Sequence, residues 1–133
     1  MSTVNRVAIM KNPPFTSDKA RIAGWGLTCE LKYESTDKLK HLDQYLWEKN
    51  ECVTKMKGVP KGTFCAASKA KGHYPSLGDS GSALVVQGYI QLGIVSFKKP
   101  TINRNVIIYT DVGYFYDWIE KNSKRMFCDE PLK

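Results

Sequence analysis

Ser80 is the residue whose surroundings first suggest chemistry. It lies in Gly78-Asp79-Ser80-Gly81, just before an apolar run, Ala83–Val86, that is typical of a buried strand. A serine hydroxyl is a weak nucleophile until a positioned base takes its proton. The alternative is a tight turn in which Asp79 accepts hydrogen bonds from backbone amides and the hydroxyl does no chemistry. Taken alone, the four residues favour the turn.

A base for Ser80 is not evident among the histidines. The chain has two, His41 in the strand-like "LKHLDQYLW" and His73, which lies seven residues before Ser80 in a predicted loop. A single histidine on a partly apolar strand is usually structural or exposed, and general-base catalysis needs hydrogen-bond reach to the hydroxyl. Neither histidine is therefore predicted to activate Ser80.

The elements around Ser80 are predicted to be mostly strands. Alternation in "KARIAGWGL", two runs in "LVVQGYIQLGIVSF" joined at Gln87-Gly88, and the β-branched run "NVIIYTDV" all favour strands. Phe115, Trp118 and Ile119 then follow helical spacing. With 133 residues and 42% hydrophobic content, the chain has room for one packed core. The sequence thus predicts one all-β domain closed by a C-terminal α-helix.

The formal net charge of +7 comes from lysines and arginines scattered along the chain. Such scatter is typical of a solvated surface, and no RNA-binding signature, zinc-finger spacing or basic helix with heptads accompanies it. No apolar run is long enough to span a membrane, and the first residues lack the layout of a secretory signal. We expect neither a nucleic-acid nor a membrane partner.

The four cysteines, Cys29, Cys52, Cys65 and Cys128, favour disulfides over a metal site. They show neither C-x-x-C spacing nor nearby histidines. A bond between Cys52 and Cys65 would close a loop and so lower the entropy of the unfolded chain. This would stabilise the folded state by about 3 kcal/mol. Disulfides imply an oxidising compartment, and we expect no metal and no cofactor.

Five ordered blocks resemble a known family. They are "ARIAGWG", "CVTKMKGVPKGTFCA", "GDSGSALV", "GIVSF" and "IYTDVGYFYDWI". In this order and at these spacings they resemble the C-terminal half of a trypsin/chymotrypsin-like serine protease, from about Val7 to Ile119. The resemblance implies a single antiparallel β-barrel, the second barrel of that family, with a C-terminal α-helix. It divides the chain into a connector at residues 1–19, the barrel at 20–112, the helix at 113–125 and a tail at 126–133.

The resemblance also implies roles for the residues around Ser80. Ser80 takes the nucleophile position, and the backbone N–H groups of Gly78 and Ser80 would bind the oxyanion. Asp79 takes the position whose carboxylate, in active relatives, pairs with an amino terminus released by cleavage and supports the oxyanion loop. Ser96, Phe97 and Lys98 would align the substrate backbone.

A bond between Cys52 and Cys65 matches a local disulfide of the family's second barrel. Two other family disulfides are missing as pairs, because Ala20, Val86 and Ser76 stand where cysteines are usual and "KKPTIN" contains none. Cys29 and Cys128 match neither pair, and the sequence leaves their pairing open.

The residues at the specificity pocket depart from the family pattern. Tyr74, six residues before Ser80, stands at the pocket base where trypsin-like members carry an aspartate. Lys98 and Ile107 stand at wall positions usually held by glycine, so side chains fill space that a substrate side chain needs. Alternatively, an insertion shifts this alignment, since the segment between Cys65 and Gly78 is one residue longer than in typical trypsins.

Two functions from different classes follow. In the first, the chain is the C-terminal barrel of a secreted serine endopeptidase that cleaves peptide or protein substrates once completed by a first barrel, which carries the histidine and aspartate of the triad. The loop around Ser80 is then expected to be zymogen-like, and the chain alone inactive. In the second, it is a non-catalytic, secreted homologue that binds a protein partner through the exposed inter-barrel face. Triad segments encoded before Met1 would favour the enzyme.

Overall fold

The computed structural model describes residues 5–13, 18–26 and 36–125. Cys29, Cys128 and the expected tail at 126–133 lie outside the described residues. Within these ranges, seven strands and two helices follow one another. They are β1 Ala8–Ile9, β2 Lys19–Gly24, β3 Lys40–Leu46, α1 Lys49–Lys55, β4 Thr63–Ala67, β5 Ala83–Val86, β6 Ile90–Lys99, β7 Asn103–Asp111 and α2 Tyr116–Lys124.

Six of the strands form a closed antiparallel barrel. Their order is β6-β5-β2-β3-β4-β7, and β7 pairs with β6 to close the circle. Closure leaves the barrel without a free edge, which stabilises an all-β chain of this size. The fold class predicted from the sequence is therefore confirmed. The seventh strand, β1, was not predicted, and it adds a short parallel pairing in which Ala8 lies opposite Ile90.

The predicted strands correspond to the periodic segments of the sequence. Along β2, Ala20 and Ile22 are buried whereas Lys19, Arg21 and Ala23 are exposed, as a half-buried strand requires. The predicted turn at Gln87-Gly88 is confirmed, because both residues have positive φ, 52° and 77°, between β5 and β6. The predicted C-terminal helix is confirmed as α2, although none of its residues is buried.

The core contains a buried hydrogen bond between two polar side chains. Tyr109, on β7, is 0% exposed and donates from its hydroxyl to Oε1 of Gln44 at 3.1 Å. Its ring stacks on Phe64, with ring centroids 5.4 Å apart. Burial, and secondarily the negative charge of Asp79, raise the pKa of the Tyr109 hydroxyl.

Helix α1 was not predicted, because seven residues are too few for a convincing helical period. Tertiary contacts stabilise it instead. Cys52, in α1, forms a disulfide with Cys65 of β4, which confirms the predicted bond. Lys99 donates to the carbonyl oxygens of Met56 at 2.9 Å and Gly58 at 2.6 Å, so a cation lies at the helix C-terminus, where the dipole favours it.

Within the described ranges, neither helix is long and apolar enough to cross a membrane. The same ranges hold no group of three or more metal-ligating side chains in reach of one ion.

Removing the disulfide is expected to destabilise the chain. The Cys52→Ser, Cys65→Ser double variant should lose about 3 kcal/mol of unfolding free energy, because the unfolded chain regains the entropy of the closed loop. Urea denaturation of both proteins measures this. Non-reducing peptide mapping of the wild type should also recover the two cysteines in one linked fragment. Alkylation of both without reduction, in protein made in an oxidising compartment, would contradict the assignment.

Tyr109 is expected to make folding sensitive to alkaline pH. Its raised pKa means that the folded state holds the neutral phenol, whereas the unfolded chain ionises near its ordinary value of 10.0. Stability from this group is complete below pH 10 and falls as the pH rises above it. Urea unfolding between pH 8 and about 11 should show a steeper loss in the wild type than in Tyr109→Phe. Equal slopes would contradict the burial of the hydroxyl.

Candidate functional site

The turn that bears Ser80 is fixed on strand β6 by backbone hydrogen bonds. The N–H of Gly81 donates to the carbonyl oxygen of Val95 at 2.9 Å, and the N–H of Val95 donates to that of Ser82 at 2.9 Å. Gly78 has φ of +98°, a backbone conformation that residues with a Cβ rarely adopt. The turn is therefore tight, and Ser80 at its tip is exposed.

Asp79 holds the turn from the inside. Its Oδ1 accepts a hydrogen bond from the N–H of Gly26 at 2.9 Å, and its Oδ2 accepts one from the N–H of Ser76 at 2.9 Å. Charge-assisted bonds of this kind are about twice as strong as neutral ones. We call this pair of hydrogen bonds the Asp79 clamp. It is the amide-capping role that the sequence offered as an alternative to chemistry.

The glycines around Trp25 are needed for the Asp79 clamp. A Cβ on Gly24 would lie 2.1 Å from Oδ1 of Asp79, and a Cβ on Gly26 would lie 2.4 Å from the same carboxylate. Real atoms do not approach so closely. The pattern Gly-Trp-Gly carries a signal for this contact, because two glycines on either side of one residue leave room for a side chain from elsewhere in the chain.

The two expected oxyanion donors are available around Ser80. In the part of the chain that the structure describes, the N–H groups of Gly78 and Ser80 donate no hydrogen bond. The N–H of Asp79, between them, donates to the carbonyl oxygen of Ser76 at 3.0 Å. Two unused donors beside an exposed hydroxyl are what stabilisation of a developing oxyanion requires.

The histidines lie beside Asp79 rather than beside Ser80. His41, His73 and Asp79 line one cavity of about 400 Å³, and Ser80 does not line it. Neither histidine hydrogen-bonds to Ser80 within the described residues. This arrangement agrees with the sequence argument that neither of them serves as the base.

The three residues expected at the specificity pocket are brought together. The ammonium of Lys98 lies 4.6 Å from the centroid of the Tyr74 ring. Lys98 pairs with Ile107 across β6 and β7, and Ile107 is 2% exposed in the same core cluster against which Tyr74 packs. Ser96 and Phe97, the other residues expected to contact substrate, are exposed on β6. Side chains therefore occupy this part of the barrel.

The fold and the Ser80 turn are those of one protein family, and the comparisons identify it. The family model described as Trypsin matches residues 2–119. The chain belongs to the trypsin-like serine protease family.

Individual relatives agree. Mast cell protease 3 of Ovis aries is 32% identical over 105 residues, which are 78% of this chain and 41% of that protein. Serine protease 1 of Homo sapiens is 29% identical over 119 residues, which are 88% of this chain and 48% of that protein. The chain thus spans a little under half the length of these relatives.

A solved structure shows the same fold. The structure titled neuropsin, a serine protease expressed in the limbic system of mouse brain, superposes with a TM-score of 0.76 and 26% identity. The match covers 90% of this chain and 54% of that one.

A methyl group at Gly26 is expected to break the Asp79 clamp. Gly26→Ala should lower the unfolding free energy by about 1–2 kcal/mol, because the Cβ displaces the carboxylate from two amides. Amide exchange at Ser76 should accelerate, as measured by NMR. In an Asp79→Ala background the same substitution should cost less than about 0.5 kcal/mol. An equal cost in both backgrounds would show that Asp79 is not the group displaced.

Proposed function

We propose that this chain is the C-terminal, nucleophile-bearing barrel of a serine-type endopeptidase. The observation that carries the proposal is the combination of an exposed Ser80 with two unused backbone donors, those of Gly78 and Ser80, in a turn fixed by the Asp79 clamp. The histidine and aspartate of the triad belong to a first barrel.

The chemistry assigns one task to each group. Ser80 Oγ forms a bond to the carbonyl carbon of the scissile peptide as its proton passes to the histidine of the first barrel. The carbonyl oxygen becomes an oxyanion and accepts hydrogen bonds from Gly78 and Ser80. The tetrahedral intermediate then expels the amine, which takes the proton from the histidine. Water then attacks the acyl carbon as its proton passes to the histidine. The bond from the acyl carbon to Ser80 Oγ breaks, and Oγ takes that proton as the carboxylic acid leaves.

The 133 residues alone are not expected to hydrolyse peptide bonds through Ser80. His41 and His73 line the Asp79 cavity rather than contacting Ser80, so no base lies beside the hydroxyl in the described residues. In related triads, loss of the base leaves only about 10³–10⁴-fold acceleration over water. By the family resemblance, Tyr74, Lys98 and Ile107 also stand where a substrate side chain would bind, and their contacts support a filled pocket.

That occupied space favours a second candidate, a non-catalytic homologue that binds a protein partner. The inter-barrel face that the family resemblance predicts is the surface on which such a partner would bind. Trp25 and Leu77 are 59% and 58% exposed, on either side of the close approach of Gly26 to Gly78. Large apolar side chains grouped at one exposed place often belong to a protein interface.

We also propose that the chain works outside the reducing cytosol. The support is the disulfide between Cys52 and Cys65, since disulfides persist in secreted and other oxidising compartments.

Labelling with a fluorophosphonate separates the two candidates. The purified chain alone should be labelled no faster than Ser80→Ala, because no base activates the hydroxyl. A complex of the chain with a first barrel from a trypsin-family relative, isolated by size exclusion, should be labelled at Ser80.

The variant Ser82→Ala is the matched control and should label as the wild type does. A complex that stays unlabelled would reject the endopeptidase in favour of the binding module. Rapid labelling of the chain alone, lost in Ser80→Ala, would instead show that His41 or His73 acts as the base.

A further inference from the structure

A second cavity lies between α1, the segment before β4 and the turn before α2. Its volume is about 440 Å³, within the range of roughly 300–1,000 Å³ typical of ligand sites. Its apolar wall includes Trp47, Val53, Phe64 and Tyr114. We call it the Trp47 cavity. It shares no lining residue with the Asp79 cavity, so it is independent of the proposed function.

The apolar wall of the Trp47 cavity is open to an incoming group. Trp47 and Phe64 are half-buried, whereas Val53 and Tyr114 are 42% and 60% exposed. Tyr114 is held in place, because its ring packs on Gly62 and lies edge-on to Phe115 with centroids 4.9 Å apart. Fixed aromatic walls with exposed edges suit a flat aromatic ring, since they lose little side-chain entropy on binding.

Asp111 places a carboxylate in the wall of the Trp47 cavity. A further cavity, which the residues after β1 help to line, adjoins the Trp47 cavity. Asp111, Trp47 and Phe64 line both cavities and form the common wall between them. Oδ1 of Asp111 accepts a hydrogen bond from the N–H of Tyr114 at 3.2 Å. Within the described residues its Oδ2 accepts none. A ring that enters beside this carboxylate is favoured when it carries its own O–H or N–H donor.

Two cations lie at the exposed side of the cavity. Lys49, at the start of α1, and Lys61, before β4, both line it and are exposed. In the described part of the chain neither lysine forms a salt bridge. By contrast, Lys55 in the same helix pairs with Glu51 at 2.6 Å. The cavity is therefore lined by two exposed cations and by the less exposed carboxylate of Asp111.

We propose that the Trp47 cavity binds a protein segment in which a tyrosine or tryptophan is flanked by acidic residues. The ring packs between Trp47 and Tyr114, its O–H or N–H donates to Asp111, and the flanking carboxylates pair with Lys49 and Lys61. Lys49 and Lys61 repel a basic segment. A purely apolar segment is disfavoured because it brings no donor to Asp111.

Calorimetry on the full chain with short peptides tests this. Acetyl-Glu-Asp-Tyr-Asp-Glu-amide should bind about fivefold tighter than its Phe analogue, because only tyrosine donates to Asp111. The Ala analogue and a peptide with lysine flanks should bind far more weakly. Equal binding of the Tyr and Ala peptides would overturn the proposal, and so would no binding of the Tyr peptide.

Variants locate the site. Lys49→Glu with Lys61→Glu should weaken the Tyr peptide by about fivefold or more, because two attractions become repulsions. Lys71→Glu with Lys57→Glu makes the same change in net charge with residues that do not line the cavity, and it should have a much smaller effect. Equal effects of the two double variants would show a diffuse charge attraction and would contradict the site.

Asp111→Asn tests the inner contact. Asparagine keeps Oδ1 as an acceptor for the N–H of Tyr114 but removes the charge that attracts a phenol. The preference for the Tyr over the Phe peptide should fall from about fivefold to nearly one. Circular dichroism checks that the variant is folded. An unchanged preference would overturn the assignment of Asp111.

Discussion

Strand β6 is the element on which the rest of the structure depends. It pairs with β5 and β7 to close the barrel, and its first residues also pair with the connector strand β1. Val95 fixes the Ser80 turn through two backbone hydrogen bonds. Farther along, Lys98 lies on Tyr74, and Lys99 caps the carbonyl end of α1. Side chains alternate along a strand, so a change in the register of β6 would move all of these contacts at once. The Ser80 turn, the contact of Lys98 with Tyr74 and the capping of α1 would shift together.

The sequence predicts those parts of the fold that depend on residues close together in the chain. Alternation in β2, the turn at Gln87-Gly88 and the helical spacing after Phe115 each follow from neighbouring residues, and the structure contains all three. The family blocks predicted the closed barrel and the bond between Cys52 and Cys65. What could not be predicted depends on contacts across the chain. Helix α1 is too short to be stable by itself, and its disulfide and the ammonium of Lys99 compensate for that.

The candidate site also has residues that the sequence predicts and contacts that it does not predict. Motif position was enough to single out Ser80, Gly78 and Asp79, but the partners of Asp79 were not evident. Its carboxylate reaches Gly26, which is 53 residues away in the chain, and no periodicity encodes such a contact. The Trp47 cavity was missed for a related reason. Asp111 ends a β-branched strand, and its place between two cavities depends on how α1 and the residues after β1 approach the barrel.

The Asp79 clamp and the contact of Lys98 with Tyr74 carry different information about function. The clamp satisfies two backbone N–H groups and lets the chain pass close to itself at Gly24 and Gly26, so it stabilises the barrel whether or not Ser80 reacts. Its presence is compatible with an enzyme and with a binding module. The ammonium of Lys98 lies 4.6 Å from the centroid of the Tyr74 ring, and that ring also packs against the core. Under the proposed function, Tyr74 and Lys98 are side chains that a target would contact, and the positive charge of Lys98 disfavours a basic side chain in that target.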